Sequence, residues 1–170
     1  MNIVSAQSRR QFFGTVSRAA AAATTLSLSG FAHAYDENST SDINIDSKGL
    51  ALKGHDPVSY HASAGPKLGK KQFTATHAGA TYRFATAANR DTFISNPAKY
   101  APQYGGFCAM GVALQKKLDV DPKAWRVVDG KLYLNVSKEV QKRWLDDVPG
   151  NLRQAELNWP RLKDLALKGL

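Results

Sequence analysis

The chain has 170 residues, 43% of them hydrophobic and 22% charged, with 23 Lys and Arg against 14 Asp and Glu. That is one domain's worth of sequence, since domains cluster near about 100–150 residues, and it is too apolar for a disordered chain. The lone cysteine excludes an intramolecular disulfide framework and any Cys-rich zinc or iron–sulfur site within one chain.

At the N-terminus, Ser8-Arg9-Arg10-Gln11-Phe12-Phe13 resembles a twin-arginine export signal, with two arginines ahead of a bulky apolar pair. A weakly apolar run from Thr15 to Phe31 follows, and Ala32-His33-Ala34 supplies the small-x-small pattern read by signal peptidase. The run is rich in Ala and Thr and is interrupted by Arg18, whereas a membrane span takes about 20 strongly apolar residues. Residues 1–34 are therefore expected to be a cleaved signal that engages the twin-arginine machinery and signal peptidase. The mature chain is expected to start at Tyr35, to be periplasmic and to have no stable membrane insertion. Removing Arg9, Arg10 and Arg18 leaves 20 basic and 14 acidic residues, a net charge of +6 in place of +9. The remaining bases are scattered, with Lys67, Lys70 and Lys71 in one loop and Lys116 and Lys117 in another. With no basic helical stripe, a solvated basic surface is expected and nucleic acid is not.

Residues 35–48 read as a polar leader rich in Asp, Asn, Ser and Thr. Leu50-Ala51-Leu52 is a short apolar run ending at Gly54, and His55-Asp56-Pro57 forms a turn in which Pro57 keeps Asp56 out of helical angles. Val58–His61 is either a helical turn or a strand stub, and Gly65-Pro66 opens a Lys/Gly loop. Two runs of β formers, 72–77 and 80–85, flank Ala78-Gly79 as a hairpin would. Thr86 is a suitable N-cap for a helix over 87–95, terminated by Asn96-Pro97. Residues 104–111, Tyr-Gly-Gly-Phe-Cys-Ala-Met-Gly, form the least regular segment. A second hairpin joins 125–128 to 131–135 through Asp129-Gly130, the strongest short-range signal in the chain. Ser137 caps a helix carrying Val140 and Trp144 on one face. A last helix starts near Pro149, presents Val148, Leu152, Ala155 and Trp159 at helical spacing, and is expected to stop at Pro160.

These elements predict a small single α+β domain of two β-hairpins packed with short helices, followed by C-terminal helices. The expected boundaries are 1–34 for the signal, 35–48 for the leader, 49–160 for the domain and 161–170 for a tail.

From Gly54 to Trp159 the chain resembles the YHS-domain family, and in particular its exported bacterial members. The resemblance is carried by Gly54-His55-Asp56-Pro57-Val58, Gly79-Ala80-Thr81-Tyr82-Arg83-Phe84-Ala85 and Asn96-Pro97-Ala98-Lys99-Tyr100-Ala101. It continues through Tyr104-Gly105-Gly106-Phe107-Cys108-Ala109 and Val128-Asp129-Gly130-Lys131-Leu132-Tyr133-Leu134-Asn135, in the family's order. Members attached to metal-transporting ATPases carry one thiol after an Asp-Pro-Val and two just past a Tyr-x-Phe. Those places hold Ser59, Ala85 and Asn89 here, so the resemblance implies the fold and carries over no ligand set.

The mature chain keeps His55, His61, His77, Cys108 and Met110 as soft or borderline donors. Imidazole, thiolate and thioether suit copper or zinc, and the sulfurs favour Cu(I). His55 and His61 lie six apart across a Pro-containing turn. Cys108 and Met110 lie two apart, which on a strand places both side chains on one face. No histidine follows Cys108 as it would in a blue-copper site. Gly105-Gly106 is expected to seat Cys108 in a pocket wall, because glycine permits close backbone approach.

The leading expectation is an exported, non-catalytic YHS-type domain that binds copper rather than zinc in metal handling or sensing, through Cys108, His55, Met110 and His61. Two alternatives stay open. One is a binding module for an apolar small molecule or an envelope partner, with Cys108 as packing and aromatics lining the pocket. The other is a thiol enzyme in which His55 or His77 activates Cys108. No phosphate-binding loop, zinc-protease helix or hydrolase elbow occurs.

Overall fold

The structure is a computed structural model that describes residues 39–166, so the expected signal and its cleavage point lie outside the described residues. Two antiparallel hairpins form its sheets. In the first, β1 (Lys70–His77) pairs with β2 (Ala80–Phe84), and in the second β3 (Asp121–Val128) pairs with β4 (Lys131–Asn135). Both turn pairs, Ala78-Gly79 and Asp129-Gly130, have positive φ at both residues. That backbone twist matches the twist of the flanking strands, which is why a glycine recurs at the second place. Each long strand carries an irregularity in its pairing before the tight part of the hairpin.

Between the hairpins come α1 (Ala87–Ser95), α2 (Pro97–Tyr100), a 3-10 turn over Gln103–Gly106 and α3 (Ala109–Ala113). After them follow α4 (Lys138–Asp146) and α5 (Val148–Leu162). Helix starts are fixed locally. Thr86 accepts from Asn89 N, Ser137 from Val140 N and Asp147 from Gly150 N, each satisfying an N–H that the helix itself leaves unpaired. Val58–His61 resolves as a 3-10 turn. Pro160 does not end the last helix, which runs on to Leu162. At that depth in the final turn proline removes one hydrogen bond only, and Lys163 N still donates to Trp159 O. The expected boundary at 160 therefore cuts a continuous helix.

β4 separates two apolar cores. Leu132 and Leu134 face a first cluster with Tyr60, Tyr82, Phe84 and Phe93. Tyr133 faces a second with Tyr104, Phe107, Trp144 and Ala155. Because alternate residues of a strand point to opposite faces, an uninterrupted apolar run is what a strand covered on both sides requires. Met110 packs against both clusters.

Residues 39–48 of the polar leader are part of the domain. Ile45 bridges Ala51, Asn44 N donates to Gly105 O, and the buried Asn44 side chain reaches Gly106 O and Asp119. Gly105, at φ +60, lies under the leader: a Cβ there would sit 1.8 Å from Asp42 O. Lys117 then ties the leader to the far end of the chain. Its buried ammonium donates to the carbonyls of Ser41, Lys163 and Leu165 at 2.8–2.9 Å and lies over the Phe107 ring. No helix among the described residues is long and apolar enough to cross a membrane.

Candidate functional site

Ser59, Ala85 and Asn89 converge in space on one carboxylate, that of Asp56. Pro57 follows Asp56 and starts a 3-10 turn, folding the chain back so that Asp56 Oδ1 accepts from Val58 N at 2.9 Å and Ser59 N at 3.3 Å. Its Oδ2 accepts from Ala85 N at 2.8 Å and from Asn89 Nδ2 at 2.6 Å. Ser59 Oγ donates to Asp56 O and accepts from Lys67 N. Asp56 is fully buried, so these donors take the place of water around it. The centre joins the 56–59 turn to the end of β2 and to α1, and its acceptors are occupied.

None of the three described histidines lines the cavity that Cys108 lines. His55 extends the chain after the first 3-10 turn, with Nδ1 3.2 Å from Leu52 O and its backbone bridging Leu68. His61 stacks edge-on against Tyr100, with Nε2 buried and without a hydrogen-bond partner. Burial, then the nearby Lys99, hold its pKa below the ordinary 6.5. His77 packs against Phe93.

Cys108 is not on a strand but at the N-cap of α3, and it is fully buried. Its Sγ accepts from Gly111 N at 3.3 Å and lies 3.7 Å from Asn135 Oδ1, to which the thiol donates. Asn135 Oδ1 also accepts from Met110 N at 3.3 Å, while its Nδ2 is buried with no partner. Burial pushes the Cys108 thiol up, and the N–H groups of Gly111, Val136 and Met110 only partly pull it back. The glycine pair does not seat Cys108; its work is to receive the leader at Asp42 and Asn44.

Cys108 and Met110 nevertheless meet, because the tight turn of α3 brings both to one wall of a cavity of about 210 Å³. Gly111, Leu114, Leu118, Val136 and Val140 make its apolar lining, and Lys116 and Arg143 are its only charged members. Leu114 is 60% exposed, Val136 41% and Leu118 36%. Three large apolar residues left in water around one opening are an unpaid hydrophobic surface of the kind that ligand sites present. No histidine lines the cavity, and among the described residues no three His, Cys, Asp or Glu side chains come together as a metal site.

Sequence reasoning singled out Cys108 and Met110, which share a cavity wall, and did not single out Asp56, Asn135 or the Leu114–Leu118–Val136 rim. Only Asp56 had a local signal, the proline after it. The rim is assembled from the α3 exit, a loop and the end of β4, so no spacing rule reveals it.

Compared with known proteins, the chain matches no protein-family model, no curated protein and no solved structure.

Proposed function

We propose that the chain is an exported, non-catalytic binding module of the YHS type that takes an apolar small molecule in the cavity beside Cys108. The observation that carries this reading is the cavity itself, about 210 Å³, apolar, and rimmed by exposed Leu114, Leu118 and Val136. A neutral apolar ligand gains by leaving water for such a wall, at about 25 cal/mol per Å² of surface removed. A raised, buried thiol without a histidine beside it speaks against nucleophilic use of Cys108, which needs thiolate. The test is to expose crystals of the mature protein to xenon or benzene. Occupancy between Met110 and Val140 is expected; an empty cavity at saturating benzene would overturn the reading.

A second reading keeps the metal. Cys108 and Met110 offer two sulfurs on one wall, a donor pair suited to Cu(I). Zinc wants a fuller tetrahedral set that this lining lacks. Under this reading Cu(I) is held by Cys108 and Met110, with His55 and His61 in structural roles, and binding releases the thiol proton. Chelator competition for Cu(I) on wild type, Cys108→Ser and Met110→Leu checks it: both variants must lose uptake.

A further inference from the structure

We infer that the Cys108 cavity selects an apolar anion, a small alkyl or aryl carboxylate, with Arg143 and Lys116 holding the charged head at the rim. The inference rests on the apolar-binding reading and adds the sign of the ligand's charge.

Every charged group in the lining is cationic, and no carboxylate is present to receive a ligand amine. Arg143 is exposed, and one of the acidic residues near it in sequence is engaged elsewhere. Asp147, four residues after it, caps α5 through Gly150 N. Lys116 likewise loses its nearest acidic neighbour in sequence, because Asp119 pairs with Lys53 at 2.8 Å. Among the described residues neither Arg143 nor Lys116 makes a salt bridge. A guanidinium beside an apolar wall gives a carboxylate two parallel donors, and a neighbouring ammonium adds charge without fixed geometry.

The size of the cavity bounds the apolar part. An apolar cavity of about 150 Å³ holds benzene, so about 210 Å³ accommodates a ring with a short side chain or a chain of about eight carbons. The ligand class is therefore amphiphilic: a compact tail against Met110, Val140 and Leu118, and a head in reach of the two cations. A free acid and the head of a short lipid share this chemistry.

The experiment is a titration of the folded mature protein followed by backbone amide NMR, with octanoate and octan-1-ol as paired probes. Octanoate is expected to shift the amides of Cys108, Met110, Gly111 and Val136, and to bind more tightly than octanol. The double variant Arg143→Gln/Lys116→Gln, at two exposed positions, is expected to weaken octanoate about fivefold and leave octanol unchanged. Raising the salt to 0.5 M should shrink the octanoate advantage, as screening of rim charges requires. Equal binding of the two probes, or no effect of the double variant, overturns the anion preference while the apolar site stands. If neither probe moves those amides, both the anion preference and the apolar reading fall.

Discussion

Asp56 and Asn135 are both fully buried, and both use side-chain oxygens at a helix or turn start, Asp56 to gather several backbone N–H groups and Asn135 to hold that of Met110. Around Asp56 each oxygen has two donors, and nothing polar is left over. Around Asn135 the oxygen is shared by Met110 N and the Cys108 thiol, the amide nitrogen has no partner, and the wall beyond it opens into a cavity. A saturated polar centre fixes three chain segments at low cost in mobility. An unsaturated one beside a void is where a fold has kept room for something else. On the reading proposed above, stability rests on the first centre and binding on the cavity beside the second.

Removing the saturated centre is expected to do the most damage. Asp56→Ala strands the N–H groups of Val58 and Ala85 and the Asn89 amide, while Ser59 N keeps its bond to the carbonyl of residue 56, and should cost about 3 kcal/mol in urea unfolding. A loss below about 1 kcal/mol would mean that water replaces the carboxylate and that the contrast is false. Asn135→Leu makes the matching change in the other centre. It strands Met110 N but also removes the orphan amide nitrogen, so the expected loss is only about 1 kcal/mol.

Cysteine labelling sharpens the same contrast kinetically. Iodoacetamide should label native Cys108 slowly, at a rate that rises steeply with denaturant, because the thiol is buried and its ionisation is opposed. Fast labelling at pH 7 without denaturant would revive a catalytic thiol. The smallest effect is expected at His61. Its folded pKa lies below 6.5, so the unfolded chain takes up the proton first as the solution is acidified. Stability from the neutral ring is therefore complete above pH 6.5 and declines as pH falls below it. His61→Phe should flatten that acid-side decline between pH 7 and pH 5; an identical profile would remove His61 from the account.

What could be read in advance was whatever is decided within four residues. Ala78-Gly79 and Asp129-Gly130 announced the hairpins because positive φ at both positions is a local demand. Thr86 and Ser137 announced helices because a cap bonds to an N–H three residues on. Pro160 misled because a local rule about proline says nothing of how near the helix end it lies. Of the candidate cavity only the proximity of Cys108 and Met110 was legible, and a helix start rather than a strand brings them together. Asp56 reaches Ala85 and Asn89 across 29 and 33 residues, and Asn44 reaches Asp119 across 75. Such partners become visible only when the chain has folded.

Lys117 has a mechanical consequence. The leader at Ser41 and the tail at Leu165 are both held within 2.9 Å of one nitrogen, so the chain enters and leaves the domain through the same neck. A pull on the two ends would load the hydrogen bonds at Lys117 before it strained either hairpin, and the neck would peel open one bond at a time. The same closeness makes the domain a bead that can be spliced into a loop of another protein, or cut and rejoined at a new pair of ends. Lys117→Met would then show itself less in the pocket than in how easily the bead unthreads.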